Sequence, residues 1–428
     1  MMKTSNLLSF ISFILIFSGL VTLNPHLLGM SIPFILYLFL GLLSFPSEIK
    51  LEFQRTLSTE RTTPGSPVDI SVQVYNRGQR LDELIIEDKL PSGISLENGA
   101  PRHLINIKHG EIVTWKYTIK ADRGQYYLDT IQVQSRDKFG VKRNTQSFPT
   151  NGQLLVLPQM LKLKRLSIRP RKTRVYSGEI PSRSGGLGVE FYGVREYRPG
   201  DTHNSINWKA SARYPSRMFS NEFEQERVAD VGIILDGRER SNIISNGETI
   251  FEYSVIAAAS LSNAFLLQGD RVGLLHYGKY LQWTFPGYGK YQREKILRAL
   301  TSVVPGHSLV FSYLQYLPTQ LFPPQSQIVL ISPLTKDDPE VLLQIRARGY
   351  RVLVISPNPI AFECKNLPTN KNTLMARRIL TIERELLLRQ LVRGGIRVVN
   401  WDVSIPFDQI VGKLSQAPVI PRSVETGI

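Results

Sequence analysis

The chain reads as a multidomain protein: an N-terminal transmembrane helical hairpin, an all-β immunoglobulin-like sandwich, then a Rossmann-type α/β domain. Three observations predict this. Two uncharged apolar runs open the sequence. Short segments of period-two alternation follow, bounded by Gly, Pro, Asn and Asp turns. After Arg227, continuous apolar strands alternate with helical patterns, as in a parallel sheet covered on both faces. A length of 428 residues gives room for two or three such bodies, each with its own core.

Residues 1–50 hold the hairpin. Its runs, Leu7–Leu23 and Leu27–Phe45, are separated by Asn24-Pro25-His26. At about 1.5 Å per residue they measure roughly 26 and 28 Å, close to the ~30 Å hydrocarbon core of a bilayer. Lys3 precedes the pair, and Lys50, Arg55 and Arg61 follow it. The positive-inside rule then predicts a two-span cell-membrane protein with its soluble domains in the cytoplasm. A cleaved signal peptide would need a small-x-small cleavage site, which this stretch lacks.

Residues 51–160 are assigned to the sandwich. Val68–Val74 alternates and ends at the Asn76-Arg77-Gly78 turn, and Ile112–Ile119 puts Trp115 and Tyr117 on one face. The spacing predicts about seven strands. No cluster of His, Cys or paired carboxylates suggests chemistry here; His103 and His109 lie in polar sequence and are expected at the surface. The domain reads as a spacer or binding module.

Residues 161–189 read as a basic, Gly/Ser-rich linker. Lys162, Lys164, Arg165, Arg169, Arg171, Lys172 and Arg174 form a run with no acid among them. Such a run suits anionic lipid headgroups, at about 1 kcal/mol per basic residue near the surface. Nucleic acid is disfavoured because no aromatic residues are interleaved with the charges. Tyr176–Gly188, with two serines and three glycines in its second half, is expected to be flexible.

The segment 190–227 opens with EFYGVREYRPGDTHNSINWKASAR, Glu190 to Arg213. It combines acids, bases and aromatics around Pro199-Gly200-Asp201, a turn signal. Two readings are open. As a docking surface, Arg195, Glu196, Tyr197, Asp201, Lys209 and Arg213 would make charge-assisted and polar contacts to a partner, with Trp208 as apolar anchor. As a clasp, the same residues would lock the sandwich to the α/β domain.

Residues 228–428 form the α/β domain. Strands are expected at Val228–Asp236, Arg271–Tyr277, Leu281–Phe285, Gln327–Ser332, Tyr350–Ser356 and Ile396–Trp401. Helices are expected at Glu248–Gln268, Lys290–Val303, Asp338–Arg348 and Thr373–Arg393. Ligands of such sheets bind at the carboxyl ends of strands, which points to Asp236, Ser332-Pro333 and Ser356-Pro357. Asp337-Asp338 suits a helix N-terminus. No Ser/His/Asp spacing, phosphate-binding glycine loop or metal-ligand cluster stands out, so no catalytic residue, metal or cofactor is assigned. The single cysteine, Cys364, excludes an intramolecular disulfide and reads as inert. With 52 basic and 36 acidic residues, the formal charge of +16 favours an anionic partner.

The Glu190–Arg213 stretch resembles the signature of the domain of unknown function 58 family. The matching residues are Phe191, Arg195-Glu196-Tyr197, Pro199-Gly200-Asp201, Ile206, Trp208-Lys209 and Ser211-Ala212-Arg213, together with the Gly269–Leu274 strand entry. Asn204-Ser205 stand where the family carries an arginine before the isoleucine. Members are similar, in their C-terminal half, to von Willebrand factor A domains, which hold a divalent metal with an Asp-x-Ser-x-Ser loop and a later Asp. Here that loop is Asp236-Gly237-Arg238-Glu239-Arg240, and Pro333 stands at the later position. The resemblance therefore implies a degenerate site without metal. Arg238 or Arg240 would pair with Asp236 or with a partner's carboxylate, or both would be exposed loop residues. It further implies a membrane-anchored, non-catalytic adaptor that works with a MoxR-type AAA+ ATPase in envelope protein assembly or remodelling. The alternatives are a metal-dependent or hydrolytic enzyme at the strand ends, and binding of nucleic acid or anionic lipid through the basic surface.

Overall fold

The computed structural model describes residues 4–43, 49–136, 143–163, 174–214, 216–316, 321–323, 326–368 and 370–416. They divide into two compact units, Met1–Leu157 and Pro158–Ile428, described separately below.

The first unit opens with helices α1 (Thr4–Val21) and α2 (Pro25–Leu43). Pro25 starts α2, where its missing N–H costs nothing, and Pro33 lies inside it. The two helices pack on each other, with Gly19 facing Leu28. Phe10, Phe13, Phe17, Ile32 and Phe39 nonetheless point outward, exposed. Their apolar stretches, Leu8–Val21 and Pro25–Leu40, are shorter than the sequence suggests. Among the described residues, the helix long and apolar enough to cross a bilayer is Ile250–Leu267, and 72% of it is buried inside the second unit. Length and apolarity alone do not separate a span from a core helix; what covers the helix does.

Strands β1 (Leu51–Leu57), β2 (Arg61–Thr62), β3 (Val68–Asn76), β4 (Leu81–Asp88), β5 (Ile94–Asn98) and β6 (Arg102–Ile107) follow. After them come β7 (Ile112–Ala121), β8 (Gly124–Tyr127), β9 (Thr130–Arg136), β10 (Arg143–Pro149) and β11 (Gln153–Val156). They form sheets of order β1-β3-β7-β5, β10-β9-β4-β6 and β2-β11-β8 around one shared core. More strands are present than about seven, because short pieces such as β2 and β8 are too brief to show periodicity. Alternation is cleanest in β3, where Val68, Ile70, Val72 and Val74 are buried in turn. Trp115 and Tyr117 lie on one buried face, as their spacing predicts. His103 departs from expectation: it is half-buried, tilted against Trp115 with ring centroids 5.2 Å apart. Within this core Arg55 Nε donates to Asp88 Oδ2 at 2.9 Å, and Tyr117 donates to the same oxygen at 2.6 Å. Arg55 also reaches the Leu128 carbonyl.

The second unit begins with β12 (Arg174–Glu196), paired antiparallel with β13 (Phe219–Val228). The Tyr176–Gly188 stretch, expected to be flexible, therefore lies in a strand. Its register shifts around Gly185-Gly186, so the glycines appear as irregularities in the ladder instead of a break. Of the basic run, 164–173 lie outside the described residues. Between β12 and β13 sits one helical turn, α3 (Trp208–Ser211), capped by Asn207.

The remaining elements are β14 (Asp230–Asp236), β15 (Ile244–Ser245), β16 (Glu248–Thr249), α4 (Ile250–Leu267), β17 (Arg271–Tyr277), β18 (Leu281–Gly287) and α5 (Gly289–Thr301). They continue through α6 (Val310–Tyr313), β19 (Gln327–Ile331), α7 (Asp338–Ala347), β20 (Arg351–Pro357), α8 (Pro359–Cys364), α9 (Lys371–Arg393), β21 (Arg397–Trp401) and α10 (Phe407–Gln416). One six-stranded sheet has order β18-β17-β14-β19-β20-β21, parallel except for β18. One face (Ile234, Leu275, Ile328, Leu330, Val352, Val354) packs against Phe311, Leu342, Ile345 and Leu391. The other parity, such as Ile233, Leu274, Val329 and Ile355, is equally buried, and α4 touches β14, β17, β19 and β20. Continuous apolar strands are the signature of burial on both faces.

Candidate functional site

Because five strands run parallel, Asp236, Ser332, Ser356 and Asn400 all come to one edge, the carboxyl edge of the sheet. Gly237 makes the first turn possible. A Cβ there would stand 2.5 Å from the Tyr277 carbonyl, to which the Gly237 N–H donates at 2.7 Å.

The turn aims Arg238 back under the sheet edge. Its Nε donates to both Asp236 oxygens at 3.0 Å, and its Nη2 to Asp236 Oδ2 at 2.7 Å. The other side of the fork is bidentate to Asp338, with Nη1 to Oδ1 at 2.9 Å and Nη2 to Oδ2 at 2.7 Å. The guanidinium also stacks over Phe311, 3.9 Å from the ring centroid. All three charged side chains are at most 2% exposed. Burial alone would depress the arginine pKa; the Asp338 and Asp236 hydrogen bonds outweigh it and hold the group above its ordinary value. The carboxylates are satisfied further: Ser332 Oγ donates to Asp236 at 2.6 Å, and the Thr335 N–H and hydroxyl donate to Asp338 at 2.7 and 2.8 Å.

This donor set does not fit a divalent metal. The two carboxylates that would serve as ligands already close on a cation supplied by the chain itself, and Ser332 is engaged with Asp236 and the Leu334 N–H. A metal ion would have to share that space with a guanidinium, at a large electrostatic cost. Arg240, the second arginine of the loop, is exposed, and Pro333 contributes its carbonyl instead of a ligand side chain.

That carbonyl accepts from a second buried arginine. Arg384 Nη1 donates to Pro333 O at 2.9 Å, Nη2 to Ser356 Oγ at 2.9 Å, and Nε to Asn400 Oδ1 at 3.1 Å. All its acceptors are neutral, and burial pulls its pKa down to about 10. Arg238 thus occupies the β14–β19 end of the carboxyl edge, and Arg384 the β19–β20–β21 end.

The signature segment is split by the structure. Arg195 is bidentate to Asp201 at 2.8 and 2.7 Å, and Asp201 also accepts from the Arg198 N–H and the Ser220 hydroxyl, both at 3.0 Å. These bonds close the turn in which Gly200 takes φ +107°. The Arg195 hydrogen bond, then the Arg198 N–H, hold the Asp201 carboxyl at about 2. Glu196 pairs with Arg217 at 2.7 Å on the exposed surface, and Tyr197 bonds Met218 through its backbone. Ile206 is buried and bridges to Ser220. Trp208, Lys209 and Arg213 are exposed, and among the described residues neither cation has an ion-pair partner. Phe191, Val194, Tyr214 and Met218 add exposed apolar surface on the same hairpin.

Residues 193–360 match the family model described as "Protein of unknown function DUF58". Over these residues the chain is similar to DUF58. They include the Arg195–Asp201 turn, the exposed Trp208 and the whole Asp236–Arg238–Asp338 cluster. A relative, "Uncharacterized protein YeaD" of Bacillus subtilis (strain 168), is 26% identical over 253 residues, 58% of this chain and 61% of that protein. The chain thus spans less than two thirds of that relative's length. Among solved structures, the FixG-related protein from Vibrio parahaemolyticus covers 24% of this chain and 95% of its own at 15% identity and TM-score 0.17. Proximal thread matrix protein 1 from mussel byssus covers 34% and 42% at 14% identity and TM-score 0.23. Scores this low carry no argument about the DUF58 fold.

Sequence reasoning named Asp236, Arg238, Ser332 and Ser356 but missed Asp338, Phe311 and Arg384. Asp338 is the first residue of α7, and its helix-start pattern masked a side chain aimed at Arg238. The signal available for Arg384 was one arginine among the apolar positions of α9, seven residues before Leu391.

Proposed function

We propose that this chain is a membrane-anchored, non-catalytic adaptor that binds protein partners through its DUF58 segment. The observation that carries this reading is the closed carboxyl edge. Where α/β sheets take their ligands, Arg238 and Arg384 occupy the space and consume the polar groups. A substrate or metal finds no vacant donor set there. The exposed Trp208, Lys209 and Arg213 offer an aromatic anchor with two cations that have no ion-pair partner among the described residues, the composition of an interface hot spot.

In this reading α1 and α2 form a two-span anchor, supported by their lack of charge and their outward aromatic residues. Unit one is an immunoglobulin-like sandwich, supported by two four-stranded antiparallel sheets on one core. Unit two is a von Willebrand factor A-like domain whose metal is replaced by Arg238. By resemblance, the partner is a MoxR-type AAA+ ATPase, and the process is envelope protein assembly or remodelling. Lys162 and its basic neighbours add attraction to anionic headgroups.

The test is Lys209→Glu together with Trp208→Ala in the full chain in native membranes. Both side chains are exposed, so Tm should stay within about 1 °C while co-purification of the AAA+ ATPase drops by roughly tenfold or more. Retention of the ATPase by both variants would sink the proposal. So would stoichiometric divalent metal in the purified chain.

A further inference from the structure

Helix α9 touches α7, α8 and β21, and its buried residues lie in its C-terminal half. Arg384 and Leu391 are buried, and Leu387 and Leu388 pack on the core, but from Lys371 to Glu383 no residue of the helix is buried. The uncovered part is not polar. Met375 (66% exposed), Ile379 (55%), Ile382 (51%) and Leu386 (60%) recur at intervals of four, three and four. That spacing is a coiled-coil seam. At about 100° per residue the seam lies roughly 150° round the axis from Arg384 and Leu391. The face that binds the body and the face that is apolar are therefore different faces. Isolated helices of this length are marginal in water, so a projecting apolar one gains stability from whatever covers it.

We infer that the cover is a second copy of this chain, with two α9 helices packed antiparallel about a two-fold axis between Ile379 and Ile382. Charge decides the orientation. The seam rows continue through Arg389 and Arg393. A parallel pair would set each arginine against its own copy, a like-charge contact. The antiparallel pair sets Met375 against the second copy's Leu386 and Ile379 against its Ile382, and brings Arg389 to Asn372. Arg378 then faces the second copy's Glu385, and the symmetry repeats that ion pair. Among the described residues Glu385 otherwise holds Arg389 of its own helix, at 3.2 Å in an exposed pair. An anionic bilayer fits less well, because Glu383 and Glu385 flank the seam on both sides.

The experiment uses the full chain in detergent micelles, in a Cys364→Ser background. Arg378→Cys and Glu385→Cys are made as separate variants, mixed, and mildly oxidised. A mixed disulfide dimer is expected, in excess over what either variant forms alone. In the otherwise unchanged chain, Ile382→Lys should weaken dimerisation at least roughly 100-fold by sedimentation, while the monomer keeps the wild-type circular dichroism spectrum because Ile382 is exposed in it. The inference is overturned if the wild-type chain is monomeric at tens of micromolar, if no mixed disulfide forms, or if Ile382→Lys dimerises normally. None of these outcomes depends on the adaptor reading.

Discussion

Arg238 is a single buried cation held between Asp236 and Asp338, and its energetics follow from that. Two buried carboxylates accept from it, so its removal leaves like charges facing each other. Arg238→Met should cost about 3–5 kcal/mol in urea unfolding at neutral pH, the range for breaking a buried pair. Arg238→Ser should lose stability too, but regain part of it on adding Mg²⁺ or Mn²⁺, since Asp236, Asp338 and Ser332 then face an open space. No cation-dependent shift in Tm would show that more than the Arg238 guanidinium keeps a divalent ion from these groups. Asp201 gives a second residue-scale prediction. Its folded pKa is depressed to about 2, so its contribution is present above the ordinary carboxylate range and fades as pH falls towards 2. Asp201→Asn should flatten the acid limb of the stability curve.

At the scale of elements, close approach matters more than propensity. The turn after β14 exists because Gly237 lets the backbone sit against the Tyr277 carbonyl. Gly237→Ala should destabilise by about 1–3 kcal/mol, a typical overpacking cost, and displace Arg238 from Asp236. Hydrogen exchange of the β14–β17 edge would register the change. In the sandwich, β1, β4 and β7 are tied by Arg55, Asp88 and Tyr117. Asp88→Asn should cost about 3–5 kcal/mol because the arginine stays buried without its counter-ion. The sequence made the element types legible: β3, β17, β20 and α9 declare themselves by period or apolar run. It did not reveal β12 as a strand through a glycine-rich stretch, because its ladder comes from β13, twenty or more residues away. Short β2, β8 and α6 lack the length to carry a pattern.

At the scale of the molecule, the apolar helices α1 and α2 belong to one compact unit and the segment matched by the DUF58 model to the other. Deleting 1–48 should release the remaining chain from the membrane pellet with its main unfolding transition intact; persistence in the pellet at high salt would contradict the anchor. Composition, the order of a hairpin, a sandwich-like all-β unit and an α/β unit, and the strand-end position of Asp236 were written in the sequence, since each is a local pattern of polarity. Tertiary structure alone decided that Arg238 reaches Asp338, one hundred positions further on, and that Arg384 closes the far end of the same edge. Polarity repeats along the chain can be counted, whereas which charge meets which is fixed only when parallel strands bring their ends together.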